Sequence, residues 1–398
     1  MSAPHVAVIG GGVAGTAAAW ALVRGGANVR VVHDRVGSSA LYSGAVDDDE
    51  HEASLRGAAL TGEARAFSDA LGLWTLGPTT LATREGVVRA ASGADRALLD
   101  LEPLAGKHVA VADVPRDDWD SPLLAGALSA SPWAERTGTR FSLVAVSALR
   151  RGHERRITSH DFAALHDEPE RLAALALLLE TSRSDHDAWL VGPWLGTLPN
   201  TAASLRRQVS VPVGETASFV GGAAGARFEN ARDALFASSS VETARARVTG
   251  LEPQGERWVV RFESDDGDVR RGDELETDAV VLATGGVAAG GIAFVWDPVR
   301  GAHGFRLPFD APVAVALDGE PGESGGSLYG PSLEVRGFGV LERVGVHADA
   351  RGAVFRMGER SAGLFVAGDA LAARPRTIFE AVRSGVEAAR GALLLGHA

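Results

Sequence analysis

Gly10, Gly12 and Gly15 stand in a G-x-G-x-x-G spacing, with Gly11, Val13 and Ala14 between them. Chemistry of one kind needs that spacing: holding a pyrophosphate against bare backbone. Gly10 permits the tight turn, Gly12 lets the main chain approach the anion, and Gly15 lets a following helix pack closely on a strand. The helix that starts here turns its free N–H groups and its positive dipole end towards the phosphates. In such sites an acidic residue about 20 positions on, at the end of the second strand, binds the adenosine ribose. His33 stands where that acid aligns, and Asp34 follows it. Neighbours along a strand point to opposite faces, so Asp34 is not a simple substitute. The phosphate end is therefore encoded more fully than the adenosine end, and His33 reads equally well as a surface residue closing a strand.

Three stretches must position these residues. His5 to Ile9 is a short β-branched run, Thr16 to Val23 is Ala- and Leu-rich and helical in character, and Asn28 to Val32 reads as a second strand after Gly25-Gly26. This is a βαβ unit with the glycine turn in its first connection. Two later turns follow the same design. Asp278 to Leu282 is an apolar strand running into Ala283-Thr284-Gly285-Gly286, and Gly363 to Ala367 is another ending in Gly368-Asp369. A helix-like stretch from about Thr377 to Leu394 comes after. Taken alone, Thr284 could belong to a packing turn and Asp369 could be a helix N-cap.

Composition excludes several chemistries. The 398 residues contain no cysteine, which removes disulfides, iron–sulfur clusters, thiolate zinc sites and cysteine nucleophiles together. A net charge of −12, with no like-charge run longer than Asp47 to Glu50, argues against nucleic-acid binding and against a polybasic membrane anchor. The uncharged windows Val6 to Val23 and Ala279 to Trp296 are broken by glycines and fit strand, turn and helix start better than a membrane span. No basic segment leading into an apolar stretch and cleavage site opens the chain, so the expected location is cytoplasmic, with membrane attachment only through a partner.

Between the glycine turns lies a region with its own alternation. Residues 48–100 are Ala- and Gly-rich with few strand signals. His108 to Ala112, Phe141 to Val146 and Trp189 to Gly192 read as strands, while Leu123 to Ser129 and Phe162 to Glu180 read as helices. That order suggests a second α/β unit with a parallel sheet. Trp119, Trp133, Trp189 and Trp194 fit its core or an interface better than a substrate box. Thr243 to Glu276 reads as an antiparallel excursion, and the Gly- and Pro-rich segment from Gly290 to Arg356 holds Arg300, His303, Arg306 and Arg336. The expected organisation is a nucleotide domain in three segments (1–47, 241–290 and 356–398), an inserted α/β region for substrate or partner (48–240) and a cap segment (291–355).

In order, the turns at Gly10, Thr284 and Gly368 resemble the three nucleotide-domain signatures of two-dinucleotide-binding-domain flavoproteins. The resemblance implies an α/β fold with a Rossmann-type, glutathione-reductase-like FAD-binding domain and an inserted second α/β region. It places Ala283, Thr284 and Gly285 close to the cofactor and has the Asp369 carboxylate accept a hydrogen bond from the ribityl chain or sit near the pyrophosphate. A buried polyol needs such a partner. The final helix would aim its N-terminus at the flavin and stabilise the charge of the reduced ring.

Finer features go further. Ser43-Gly44-Ala45-Val46-Asp47, Gly290-Gly291 and Phe338-Gly339-Val340 resemble the second flavoprotein component of the anaerobic glycerol-3-phosphate dehydrogenase family. That likeness adds Ser43 and Gly44 to the cofactor residues. It implies a flavoprotein that forms a hetero-oligomer with a catalytic FAD subunit and an iron–sulfur membrane subunit, oxidising sn-glycerol 3-phosphate to dihydroxyacetone phosphate with electrons passing towards quinone. FAD is the expected cofactor, with FMN the alternative that a missing acid at position 33 would suit. His303 is a candidate base, and Arg300, Arg306 and Arg376 are candidate anion contacts. The sequence also admits a stand-alone FAD-dependent dehydrogenase or oxidase of another alcohol or amine, and a non-catalytic assembly subunit with a degenerate nucleotide fold.

Overall fold

The computed structural model describes residues 3–34, 37–46, 60–218, 221–265, 270–297, 302–317, 343–356 and 358–395. The chain begins with β1 (His5–Ile9), α1 (Val13–Arg24) and β2 (Asn28–His33), then β3 (Ala45–Val46) after a 3-10 turn at Ser38–Leu41. Next come α2 (Gly62–Leu71), β4 (Trp74–Ala82), β5 (Val88–Asp95), β6 (His108–Asp113), α3 (Ser121–Ser129), α4 (Pro132–Thr137) and β7 (Arg140–Ala145). They are followed by α5 (Ser159–Leu165), α6 (Pro169–Thr181), β8 (Ala188–Val191), α7 (Thr201–Arg206), β9 (Val213–Glu215) and α8 (Ala223–Ser238). The remainder comprises β10 (Glu242–Gln254), β11 (Arg257–Asp265), β12 (Arg270–Thr277), β13 (Ala279–Leu282), β14 (Ala293–Asp297) and β15 (Ala302–Arg306). It closes with β16 (Val315–Leu317), β17 (Val344–Val346), β18 (Ala353–Arg356), β19 (Glu359–Val366) and α9 (Ile378–Leu395).

These elements form two compact units, one of Met1–Ser39, Asp48–Ala70 and Ala234–Ala398, the other of Ala40–Asp47 and Leu71–Asp233. The breaks expected from the sequence are at 47/48, 240/241, 290/291 and 355/356.

The first unit is built on an eight-stranded sheet in the order β12-β11-β10-β2-β1-β13-β19-β18. Its centre, β10-β2-β1-β13-β19, is parallel. Because parallel strands are covered on both faces, they read as continuous apolar runs, and Val6, Ala7, Val8, Ile9, Val280, Val281 and Leu282 are all buried. On one face Ala7, Ile9, Val280, Leu282, Leu364 and Val366 share a core with Val344, Val346 and Leu307. Helices α1 and α9 pack together so closely that a Cβ on Gly385 would lie 2.3 Å from the Ala14 carbonyl oxygen. Trp20 of α1 also meets Phe67 of α2 edge-on at 5.8 Å. The antiparallel excursion expected over 243–276 is present as β10, β11 and β12.

In the second unit, β7-β6-β8-β9 form a parallel sheet and β3-β5-β4 an antiparallel one. Trp119, Trp133, Trp189 and Trp194 are buried, as the sequence suggests. Two expectations are corrected here. The single helix read over Phe162 to Glu180 is two, α5 and α6, because Pro169 opens a new helix and disfavours helical backbone in the residue before it. The stretch read as poor in strands holds β4 and β5, whose sequences, Thr-rich with a Gly-Pro in the one and Ala-rich in the other, lack an alternating pattern. Gly93 in β5 is needed there, since a Cβ would lie 2.8 Å from the Thr75 carbonyl oxygen.

Asp47, Arg300, Arg336 and Phe338-Gly339-Val340 lie outside the described residues. Among the described residues no helix is long and apolar enough to cross a membrane.

Candidate functional site

The glycine turn sits at the carboxyl end of β1, between β2 and β13. Its start is fixed on both sides: Gly10 N–H donates to the Val32 carbonyl at 2.9 Å, and Ala283 N–H donates to the Ile9 carbonyl at 2.8 Å. Gly10 has φ +115°, and a Cβ on it would lie 2.1 Å from the Ala283 oxygen. Both facts demand glycine. A Cβ on Gly15 would lie 2.0 Å from the Gly10 oxygen, so this glycine sets the helix against the turn. Gly12 is different, because a Cβ there would meet only the Ser39 hydroxyl, at 3.0 Å.

Helix α1 starts with Gly12 as its N-cap and no acidic residue in its first turn. Val13 N–H donates to the Ser39 hydroxyl at 3.0 Å, and Thr16 N–H bonds back to the Gly12 carbonyl at 2.9 Å. Between them, the amides of Ala14 and Gly15 have no acceptor among the described residues, although both residues are buried. Buried backbone donors without partners are rare in native proteins. A helix N-terminus with two of them, an open glycine and no carboxylate is shaped and charged to take an anion.

The two later turns meet this one. Ala283 and Thr284 abut Gly10, and Gly286 approaches Asp369 so closely that a Cβ would lie 2.8 Å from the Asp369 backbone oxygen. Gly285 has φ +80°, and a Cβ on Gly291 would lie 2.0 Å from the Thr284 oxygen. Gly368 has φ +66° and presses against the Ala14 methyl, while its N–H donates to the Ser384 hydroxyl at 2.9 Å. Residues 10–15, 283–286 and 368–369 therefore converge at the carboxyl ends of β1, β13 and β19. This is the crevice at a strand-order reversal where open α/β sheets hold ligands. Asp369 is half-buried at its edge.

The remaining residues singled out in the sequence fall in both units. His33 ends β2 half-buried, paired in register with Arg245, and Asp34 is exposed. Ser43 and Gly44 belong to the second unit, where the Ser43 carbonyl accepts from Ser218 at 2.7 Å and the Gly44 carbonyl from Asp95 at 2.7 Å. They anchor β3 against β5. Arg306 is exposed. Arg376 gives its guanidinium to the carbonyls of Leu371 and Val344, each at 2.8 Å. His303 lies in β15 opposite Trp296.

Helix α9 begins with a capping arrangement not anticipated from the sequence. Glu380 N–H donates to the Thr377 hydroxyl at 3.1 Å, and the Glu380 side chain, 3.7 Å from Arg374, lies in that first turn. Thr-x-x-Glu is a capping-box pattern, and that spacing was the signal that could have found it. This terminus is already supplied with an acceptor and a carboxylate. Ser39 and Ser384 are also absent from the sequence-based candidates. No spacing rule points to them, because each acts on backbone distant in sequence.

In the second unit, charge is buried rather than poised. Arg227 donates to Asp95 at 2.8 Å, to Glu215 at 2.6 Å and to the Gly196 carbonyl at 2.8 Å. Burial alone would lower the Arg227 pKa, but Asp95 and Glu215 hold it above its ordinary value. Burial pushes the Glu215 carboxyl up against the pull of Arg227. Tyr42, bonded to Asp95 at 3.3 Å, is raised well above the usual tyrosine range by burial and by that carboxylate. Among the described residues no cluster could ligate a metal ion.

No family model and no curated protein matches the chain. Solved structures do. A flavoprotein/dehydrogenase from Cytophaga hutchinsonii aligns over 99% of this chain and 79% of its own, at 13% identity and TM-score 0.36. BexE, studied for oxidation during BE-7585A biosynthesis, aligns over 98% of this chain and 61% of its own, at 12% identity and TM-score 0.34. CabE, an aromatic hydroxylase from angucycline biosynthesis, aligns over 98% and 63%, at 13% identity and TM-score 0.33. The chain thus spans about three fifths of the length of the latter two. At these TM-scores the likenesses assign it no activity.

Proposed function

We propose that this chain binds FAD at the crevice of its first unit and works as a stand-alone flavin-dependent oxidoreductase. The observation that carries the reading is the pair of buried, unpartnered amides at Ala14 and Gly15 among the described residues. They lie over a turn in which Gly10 has no room for a side chain. A glycine turn alone suits any dinucleotide. Flavin is favoured by the two further turns beside it, which bring a half-buried carboxylate, Asp369, to the edge of the crevice. Bound FAD would supply the acceptor for a hydride or electron pair. The chain's own part is to give the Ala14 and Gly15 amides to the pyrophosphate, to keep Gly12 and Gly286 clear, and to accept a polyol hydroxyl at Asp369.

The narrower role, oxidation of sn-glycerol 3-phosphate beside two partner subunits, would need a base and cations gathered for a phosphorylated alcohol. Arg306 is exposed, and Arg376 is committed to two backbone carbonyls. The stand-alone reading needs none of these residues near the flavin.

The test is an absorbance spectrum of the purified chain, before and after reconstitution with FAD, followed by anaerobic addition of alcohols and amines. Bands at roughly 375 and 450 nm, as for an oxidised flavin, are expected. Bleaching by a substrate from that panel would identify the electron donor, and bleaching by sn-glycerol 3-phosphate alone would restore the narrower role. A protein that stays colourless with both FAD and FMN would rule out the flavin reading.

A further inference from the structure

The second unit brings a hydroxyl, an imidazole and a carboxylate into series on its parallel sheet. Ser142 Oγ lies 2.7 Å from His108 Nε2, and His108 Nδ1 faces Asp185 Oδ1 at 3.5 Å. Ser142 sits in β7, His108 opens β6 and Asp185 precedes β8, so three neighbouring strands make the meeting. A carboxylate only accepts. Facing Nδ1, it favours the Nδ1–H tautomer and leaves Nε2 to take the serine proton. The His108 side chain is 14% exposed, and its backbone N–H is tied to Asp187 Oδ2 at 2.9 Å. Asp185, 76% exposed, has room to close the remaining gap, and such contacts are commonly loose before a substrate binds. A fourth group stands beside them. In β7, an edge strand, the Arg140 and Val146 amides donate inwards to Lys107 and Asp113 carbonyls, each at 2.9 Å. Alternation turns the Leu143 amide out of the sheet, where it has no acceptor among the described residues. The amide after a nucleophile is well placed to stabilise the oxyanion of acyl transfer.

We propose that Ser142 and His108, with Asp185 positioning the ring, form an acyl-transfer site that hydrolyses small esters. Ser142 Oγ bonds to the ester carbonyl carbon while its proton passes to His108 Nε2, and the negative carbonyl oxygen lies beside the Leu143 amide. The bond to the leaving alkoxide then breaks, and that oxygen takes the proton from Nε2. Water repeats the sequence on the acyl-serine: it bonds to the acyl carbon, gives a proton to Nε2, and the acid leaves as the proton returns to Ser142. Ser142 is half-buried, which favours short acyl groups. No cofactor takes part, so the site stands or falls apart from the flavin reading.

The experiment treats the full chain with p-nitrophenyl acetate and with a fluorophosphonate, and locates the label by mass spectrometry. Wild type is expected to release nitrophenolate and carry the label on Ser142, and Ser142→Ala to lose both. His108→Gln should slow acylation by about 100-fold or more, the usual contribution of a general base. Asp185→Asn, at an exposed position, should slow it in the same sense, and Asp185→Glu, which keeps the carboxylate, should restore it. The chain contains no cysteine, so iodoacetamide alkylation of Ser142→Cys reads this one position. A thiol beside an imidazole is activated as thiolate, and its alkylation at pH 7 should fall when His108→Gln is added. No label on Ser142 in wild type would overturn the proposal, as would labelling and alkylation that His108→Gln leaves unchanged.

Discussion

His166 is buried, and its Nδ1 lies 2.8 Å from the Trp194 carbonyl oxygen. A carbonyl only accepts, so the ring is held as the neutral Nδ1–H tautomer. Burial is the main cause that lowers its pKa to about 4, with the Trp194 bond opposing it and Arg171 adding to it. The sign follows from linkage. As pH falls, the unfolded chain, whose histidine titrates near 6.5, takes the proton before the folded chain can. Stability from this residue is complete above about pH 6.5 and drains away towards pH 4, by about 3 kcal/mol. Urea unfolding of His166→Asn, which keeps a donor but does not titrate, should show a shallower loss between pH 7 and pH 4 than wild type. Equal slopes would remove His166 as the cause. At this scale the sequence is legible where conformation is decided locally, as for the positive φ of Gly10 and for Gly15, whose closest clash is with Gly10 in its own turn. It is silent on His166 and Ser39, because their partners are 28 and 26 residues away.

Elements in the second unit are joined by charge as well as by apolar packing. Arg227 of α8 reaches Asp95 at the end of β5 and Glu215 at the end of β9, so one guanidinium fastens the antiparallel sheet to the parallel one. Arg206 of α7 works alongside it, donating to the carbonyls of Val213 and Leu98 at 2.7 and 3.1 Å. Removing a single member of a buried ion cluster leaves charge with no partner, which typically costs about 3–5 kcal/mol. Arg227→Met should therefore lower the unfolding free energy by about that much in denaturant titrations, and a loss below about 1 kcal/mol would show that the cluster is not the fastener. The sequence could not announce this cluster, because a charged residue at a strand end reads as solvated until the fold closes over it. The apolar strands β6 and β8 are legible from their runs of Val, Ala, Trp and Leu. Strands β4 and β5 are not, since they lack alternation and Gly93 answers to backbone clearance from Thr75 on the neighbouring strand.

At the scale of the whole molecule, the chain passes between the two units at 39/40, 47/48, 70/71 and 233/234. Each unit nevertheless has its own buried apolar core. Separate cores allow separate cooperative transitions. All the crevice residues, from Gly10 to Asp369, belong to the first unit. A ligand that binds only the native form of one unit stabilises that unit by mass action, by about 2.7 kcal/mol at a free concentration one hundred times its Kd. For units of this size that corresponds to about 5–10 °C. Calorimetry of the full chain with and without FAD should thus show two transitions, of which one moves up with ligand and the other stays. Limited proteolysis just above the lower transition would identify which residues have melted, and the fragment that persists with FAD should contain the glycine turn and α9. If both transitions moved together, or if the shift fell on the unit of Ala40–Asp47 and Leu71–Asp233, the cofactor would be held by more than the crevice at β1, β13 and β19. Ser43 and Gly44 would then return as candidates for its contacts.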